Sequence, residues 1–225
     1  MQTLTEQLLE AGLGDRVLTD LQLSRLIEGS SQRRYHLVNR AMKAGELIRV
    51  RRGLYILADK YRSYPCHPFV LAQMLEPGSY VSLETALSFH GWIPEAVYTT
   101  ASITPGRKEK KVNHEQAGLF SFYPLAIERG FFLELVERNH VHQQPFLVAD
   151  PLRALMDLVS LKKIEWQGLS LLEQGMRIDE DYLKSISAAD LQTLMHVYKH
   201  SRAQHFLSEL GIELGLQSRL KQAWS

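Results

Sequence analysis

Cysteine is nearly missing from this chain, since Cys66 is the only one in 225 residues. A single cysteine excludes an internal disulfide and makes a zinc site built from thiolates implausible. Long apolar runs are also missing: the stretch 146–149 is soon interrupted by Asp150, whereas a membrane span needs about 20 apolar residues. The N-terminus lacks the basic start and apolar core of a secretory signal. We therefore expect a cytoplasmic protein without a membrane partner.

The chain has little net charge, +1 at pH 7, but the charge is unevenly distributed. Between residues 31 and 52 the only acid is Glu46, and the basic residues are Arg33, Arg34, Arg40, Lys43, Arg49, Arg51 and Arg52. A solvated face is the common reason for such a cluster. A surface that meets phosphate has the same signature.

The order of elements within residues 1–62 favours the second explanation. Capping residues and apolar spacing predict helices from Thr3 or Thr5 to about 11, from 19 to about 27, and, with Ser31 as the cap, from 32 to 44. Alternating residues at 48–51 and 54–57, joined through Arg52-Gly53, predict a hairpin. Two helices around a glycine turn, then a basic hairpin, indicate a winged helix-turn-helix.

The third helix has an apolar side and a polar side with no acid on it. Leu37, Val38, Ala41 and Met42 share the apolar side. We expect Gln32, Arg33, His36, Asn39 and Arg40 to read base edges, and Lys43, Arg49, Arg51 and Arg52 to hold phosphates. Arg34 falls on the apolar side, so we expect it to extend outward to a phosphate or to pair with an acid on the first helix.

Residues 63–225 read as a mixed α+β domain with a helical end, which makes the whole chain α+β. We predict strands at 97–103, 118–125, 131–136 and 145–148, and a helix from Pro151 to about 161 capped by Asp150. Ser82 is a plain N-cap candidate. Residues 167–225 read as mostly helical, with caps at Ser187 and Ser201 and a break near Gly211.

A second basic cluster follows the Pro105-Gly106 turn and contains Arg107, Lys108, Lys110 and Lys111. The simpler interpretation is an exposed hairpin loop. The functional one is an extra phosphate contact, or a contact to another negatively charged partner.

Residues for enzyme chemistry do not assemble into a recognisable motif. Neither GxxxxGK[ST] nor GxGxxG occurs. His196 and His200 have ligand spacing on a helix, but a polar helix surface is the commoner explanation. Adjacent residues such as Cys66 and His67 seldom form a nucleophile and its base. We expect no enzyme activity, no metal and no cofactor.

Three segments resemble the AbiEi family of antitoxins and viral-defence regulators. They are 51–55 at the end of the basic hairpin, 80–94 (YVSLETALSFHGWIP) and 149–157 (ADPLRALMD). The resemblance covers most of residues 15–160. It implies a transcriptional autorepressor that binds repeated sites in its own promoter through the winged helix. It also implies an antitoxin domain paired in function with a nucleotidyltransferase-like toxin, as a type IV toxin–antitoxin system.

Two other functions remain open. The chain could be a protein-interaction module whose C-terminal domain binds a toxin or another protein directly. An enzyme acting on nucleic acid would need a metal-dependent site that these residues do not reveal.

Overall fold

A computed structural model of the protein describes residues 2–142 and 144–216. It is a mixed α+β structure with two sheets, which confirms the predicted class at that level. The N-terminal elements are α1 (Leu4–Glu10), β1 (Leu18–Thr19), α2 (Asp20–Leu26), α3 (Ser31–Lys43), β2 (Leu47–Arg51) and β3 (Leu54–Leu57). Thr3 caps α1 and Thr19 caps α2, each in a reciprocal pair with the side chain three residues later.

The small antiparallel sheet has the order β1–β3–β2 and separates two apolar cores. Leu47, Tyr55 and Leu57 pack with the buried face of α3 in one core. Val50, Leu54 and Ile56 alternate with them and belong to the main core of the rest of the chain. Because residues of a strand point alternately to the two faces, one hairpin joins both cores.

The larger sheet is mixed and has the order β6–β7–β5–β4–β9–β8. Its strands are β4 (Tyr80–Val81), β5 (Thr99–Thr104), β6 (Lys110–His114), β7 (Gly118–Pro124), β8 (Val136–Val141) and β9 (Gln144–Ala149). The helices after β3 are α4 (Pro68–Leu75), α5 (Leu83–Phe89), α6 (Pro151–Lys162), α7 (Glu180–Lys184), α8 (Ala188–Met195) and α9 (Ser201–Glu213). A 3₁₀ turn (Asp59–Tyr61) and a π-helical turn (Leu171–Gly175) complete the elements.

A fully buried polar network lies at the centre of this fold. The Asp157 carboxylate accepts hydrogen bonds from Arg153 Nε (3.0 Å), Tyr198 Oη (2.8 Å), Tyr80 Oη (3.0 Å) and Ser82 Oγ (2.7 Å). Burial and the nearby Asp157 hold the pKa values of both tyrosines well above normal. Burial alone would lower the pKa of Arg153, but Asp157 and the tyrosines raise it. The guanidinium of Arg153 therefore stays charged in the core.

The predicted strand at 131–136 is wrong, and Arg153 accounts for the difference. Its guanidinium donates to the carbonyl oxygens of Glu134 (2.9 Å), Phe131 (3.4 Å) and Phe132 (3.4 Å). Those carbonyls are not available for a strand ladder, and the segment folds into turns ending at Leu135, whose φ is 50°. The strand begins only at Val136.

The helix ends agree with the sequence predictions at some positions and differ at others. Asp150 caps α6 with Pro151 at its first position, and Ser187 caps α8, both as predicted. Ser82 occupies the N-cap position of α5 but makes no capping bond, because its hydroxyl donates to Asp157. Helix α9 starts with Ser201 itself and runs through Gly211 without a break. The last part of the predicted helical end, 217–225, lies outside the described residues.

Within the described ranges, no helix combines the length and the apolar character that a membrane crossing requires.

We expect Asp157→Asn to lower the free energy of unfolding by about 3–5 kcal/mol, because it leaves the Arg153 charge buried without its anion. Urea unfolding followed by circular dichroism measures this. The control is Lys184→Gln, which breaks an exposed pair of the same i, i+4 spacing with Glu180 and should cause no measurable change. Similar losses in both variants would contradict a central role for the buried pair.

The surroundings of His67 indicate that it makes a pH-dependent contribution to the free energy of unfolding. Its Nδ1 caps α4 by accepting from Phe69 N (3.2 Å), and its ring stacks on Phe146. Burial, and then His142, lower the pKa of His67. Since the unfolded chain then binds the proton more readily, stability is lost as pH falls from about 6.5 through the lower folded pKa.

We expect His67→Asn, which keeps a capping acceptor and does not titrate, to lose less stability between pH 7 and pH 5 than the parent protein. Urea midpoints across that range test this, with His200→Asn at an exposed helix start as the control. Parallel pH profiles for His67→Asn and the parent would exclude this role.

Candidate nucleic-acid interface

Helix α3 is fixed at its start by a serine cap. The hydroxyl of Ser30 accepts from Arg33 N (3.2 Å), so the cap lies one residue before the predicted Ser31, which is the first helical residue. The backbone of Gly29 has a φ of 98°, which favours glycine in the turn between α2 and α3. The turn and cap together set the direction in which α3 leaves α2.

The two sides of α3 differ as predicted. Leu37, Val38 and Ala41 are buried against α1 and the small sheet. Gln32, Arg33, His36, Arg40 and Lys43 are exposed, and Asn39 is half-buried. The Gln32 side-chain amide donates to His36 Nε2 (3.1 Å), so these two side chains meet at the start of the helix.

Two arginines at the start of α3 lie away from the centre of this polar side. Arg33 lines a shallow hollow together with Glu10 and Glu28. Arg34 is half-buried and, among the described residues, forms no ion pair with α1.

Glu46, the one acid in the basic stretch, is turned inward. Its carboxylate accepts from Thr5 Oγ1 (2.7 Å) and Tyr61 Oη (3.4 Å), which lie on α1 and in the 3₁₀ turn. This acid therefore serves to hold the N-terminal elements together, and the exposed side of α3 is left to hydrogen-bonding and basic side chains.

The hairpin β2–β3, with Arg49, Arg51 and Arg52 exposed, is here called the basic hairpin. Its register shifts between Arg49 and Arg51, so a bulge precedes the turn. Gly53 has a φ of 77°, and a Cβ there would lie 3.0 Å from the Asp20 carboxylate. The turn therefore requires glycine and packs against the first residue of α2.

The guanidinium of Arg51 is engaged within the protein, because it donates to the carbonyl of Met74 (3.2 Å) in the last turn of α4. His114, at the end of β6, donates from Nε2 to the carbonyl of Arg49 (3.1 Å). Its Nδ1 accepts from the backbone of Gln116 and Ala117, which fixes the ring. These bonds attach the basic hairpin to α4 and to the larger sheet. No sequence pattern singles out His114 for this contact.

The second basic cluster lies in the loop between β5 and β6 and at the start of β6. Lys110 pairs with Glu76 (2.7 Å) and Lys111 with Glu109 (2.9 Å). Arg107 and Lys108 are exposed, and neither has an acidic partner within the described ranges. Met74 and Glu76 belong to the same end of α4, so the structure brings this cluster beside the basic hairpin.

A separate open cleft of about 970 Å³ lies over β5, β7 and β6. Its walls are mostly apolar, including Leu87, Val97, Leu119 and Leu158. Leu119 and Tyr98, which line it, are 41% and 87% exposed. Sequence reasoning missed this cleft because its residues come from distant segments.

The surroundings of the histidine, cysteine and acidic side chains bear on whether they could hold a metal ion or act as a nucleophile. Within the described ranges, no group of three or more His, Cys, Asp or Glu side chains is placed to hold a metal ion. Burial raises the pKa of the Cys66 thiol, although the nearby Arg62 opposes the shift. The ring of His67 is occupied by the cap of α4.

Comparison with known proteins finds no family model and no curated protein that matches this chain.

The position of the α3 cap gives a test with a neighbouring control. We expect Ser30→Ala to lower the free energy of unfolding by about 1 kcal/mol, because the amide of Arg33 loses its acceptor. Ser31→Ala removes an identical hydroxyl that makes no capping bond, and should stay within about 0.5 kcal/mol of the parent. Urea unfolding compares the two variants. A larger loss of stability from Ser31→Ala than from Ser30→Ala would show that Ser31 is the cap, as the sequence predicted.

Proposed function

We propose that α2, α3 and the basic hairpin act as a winged helix-turn-helix that reads DNA, and that the protein is a sequence-specific transcriptional repressor. The observation that carries this proposal is the exposed side of α3, which presents amide, imidazole and basic side chains without an acid. An amide pairs with adenine and a guanidinium with guanine in the major groove.

The basic hairpin supplies the second part of the proposed interface. Arg49 and Arg52 are exposed, and neither forms an ion pair among the described residues. In this arrangement α3 contacts base edges, while Lys43 and the hairpin arginines hold the phosphate backbone and set the register. Arg51 contributes mainly by holding the hairpin on α4.

The biological role proposed here rests on the AbiEi resemblance of residues 51–55, 80–94 and 149–157. We propose an autorepressor that binds repeated sites in its own promoter, and an antitoxin paired in function with a nucleotidyltransferase-like toxin in viral defence. We place the antitoxin activity in residues 63–225 and the DNA reading in residues 1–62, in the cytoplasm and without catalysis.

The first experiment is a titration of the purified protein against the DNA upstream of its own gene and against a scrambled duplex, at two salt concentrations. We expect tighter, salt-dependent binding to the upstream DNA. Arg40→Ala on α3 should cost about 1–3 kcal/mol of binding free energy and relax specificity at one position. Arg52→Ala should weaken binding to both duplexes alike and reduce the salt slope by about 0.9.

Equal or negligible binding to the two duplexes would overturn the DNA proposal. Direct binding of a protein partner would then be the better function, and the open apolar cleft is the observation in its favour. An unchanged affinity and salt slope in Arg52→Ala, with sequence preference retained, would remove only the hairpin from the interface.

A further inference from the structure

The loop that joins β5 to β6 is exposed but well anchored. Glu76 accepts from Thr104 Oγ1 (3.0 Å), and the same hydroxyl accepts from Gly106 N (3.0 Å). Lys110 adds an ion pair to Glu76 at the other end of the loop. Arg107 and Lys108 are therefore presented from a loop whose two ends are attached to the end of α4.

The same end of α4 also receives the basic hairpin. Arg51 donates to Met74, two residues before Glu76. A second bond reaches the same strand β2: His114, at the end of β6, donates to the carbonyl oxygen of Arg49. Strand β2 is thus bonded once to α4 and once to β6, and the loop with Arg107 and Lys108 is held in a constant position relative to the hairpin.

Glu76 is an acid at the base of this surface, and its charge is countered locally. Partial burial would raise its pKa, but the bonds from Lys110 and Thr104 lower it below the usual value. The carboxylate remains ionised and is neutralised by Lys110, while Lys111 is occupied by Glu109. Arg107 and Lys108 are the cations of this cluster that remain available to an outside partner.

We infer that Arg107 and Lys108 contact backbone phosphates of the same DNA duplex that α3 and the basic hairpin bind. The inference rests on the proposed function. It makes the interface longer than the winged helix, with a flanking contact supplied by the C-terminal part of the chain. A duplex is the partner favoured here because it presents regularly spaced phosphates beyond the site that the hairpin touches.

Both side chains should contribute affinity without sequence information. Contacts from lysine and arginine to phosphate set position and strength, whereas discrimination comes from base edges. Each neutralised phosphate adds about 0.9 to the slope of log affinity against log salt. Two contacts therefore correspond to a slope change of about 1.8, and to roughly tenfold or more in affinity at physiological salt.

The test compares Arg107→Ala/Lys108→Ala with the parent protein on two duplexes. One is the upstream DNA with its flanks, and the other is shortened stepwise from each end until only the specific site remains. The control is Lys163→Ala/Lys199→Ala, which removes two exposed cations from the helical end of the chain. Urea unfolding of all variants shows that they remain folded.

On the long duplex we expect the double variant to bind roughly tenfold more weakly than the control, with a salt slope smaller by about 1.8. The preference for upstream over scrambled DNA should not change. On the shortest duplex the double variant and the parent should bind alike, because the flanking phosphates are gone.

Equal affinity and slope for the double variant and the control on the long duplex would overturn the inference. The proposed function would survive that result if the parent still preferred its upstream DNA and Arg40→Ala still lost that preference. A parent protein that showed no preference for its upstream DNA would overturn both.

Discussion

The fold depends on one buried carboxylate. Asp157 receives bonds from β4 through Tyr80, from the start of α5 through Ser82, and from the segment before α9 through Tyr198. Its ion-pair partner Arg153 reaches the turns before β8. A buried charge is tolerated only when its partners are complete, so these segments must assemble together. Strand β4, helices α5 and α6, the segment before α9 and the turns before β8 are thus fixed by one set of bonds.

The position of the N-terminal part follows from this assembled core. Val50, Leu54 and Ile56 of the small sheet pack into the main core, while Tyr55 and Leu57 pack against α3. The carbonyl oxygen of Asp15, between α1 and β1, accepts from Arg62 (2.7 Å) and from Gln144 at the start of β9 (3.1 Å). The bond from Gln144 is a further link between the N-terminal part and the larger sheet. Because the sheet is held on both faces, the exposed side of α3 and the loop at Arg107 keep one relative orientation.

Local signals were enough to predict helices α1, α2 and α3 and the hairpin β2–β3, although not the short strand β1. Caps at Thr3, Thr19 and Asp150, and the glycine turn at Gly53, act over a few residues and can be read directly from the sequence. Besides the one-residue errors at the caps Ser31 and Ser201 and the break expected near Gly211, two failures involve distant partners. The strand expected at 131–136 is displaced by Arg153, and Ser82 is drawn from capping to Asp157. The signal for the network was present, because Arg153 and Asp157 are charged residues four apart in the otherwise apolar stretch 151–159 of α6. For β6, whose residues include Lys110 and Lys111, an exposed loop was the simpler interpretation, since a polar edge strand has no apolar pattern.

The near-neutral net charge restricts how any DNA contact here can work. At +1 the whole protein exerts little long-range attraction on a polyanion, so non-specific binding should be weak. Affinity must then come from cations that are free of internal partners and held where phosphates pass. Lys110 and Lys111 are paired, and Arg51 is bonded to a helix end, whereas Arg52, Arg107 and Lys108 are not. Under the proposed function, few cations are free to contact phosphate, so discrimination between sequences would fall mainly to the exposed side of α3. A DNA-binding protein with little net charge would owe its occupancy of a site to the ratio of specific to non-specific affinity, which a uniformly basic surface would lower.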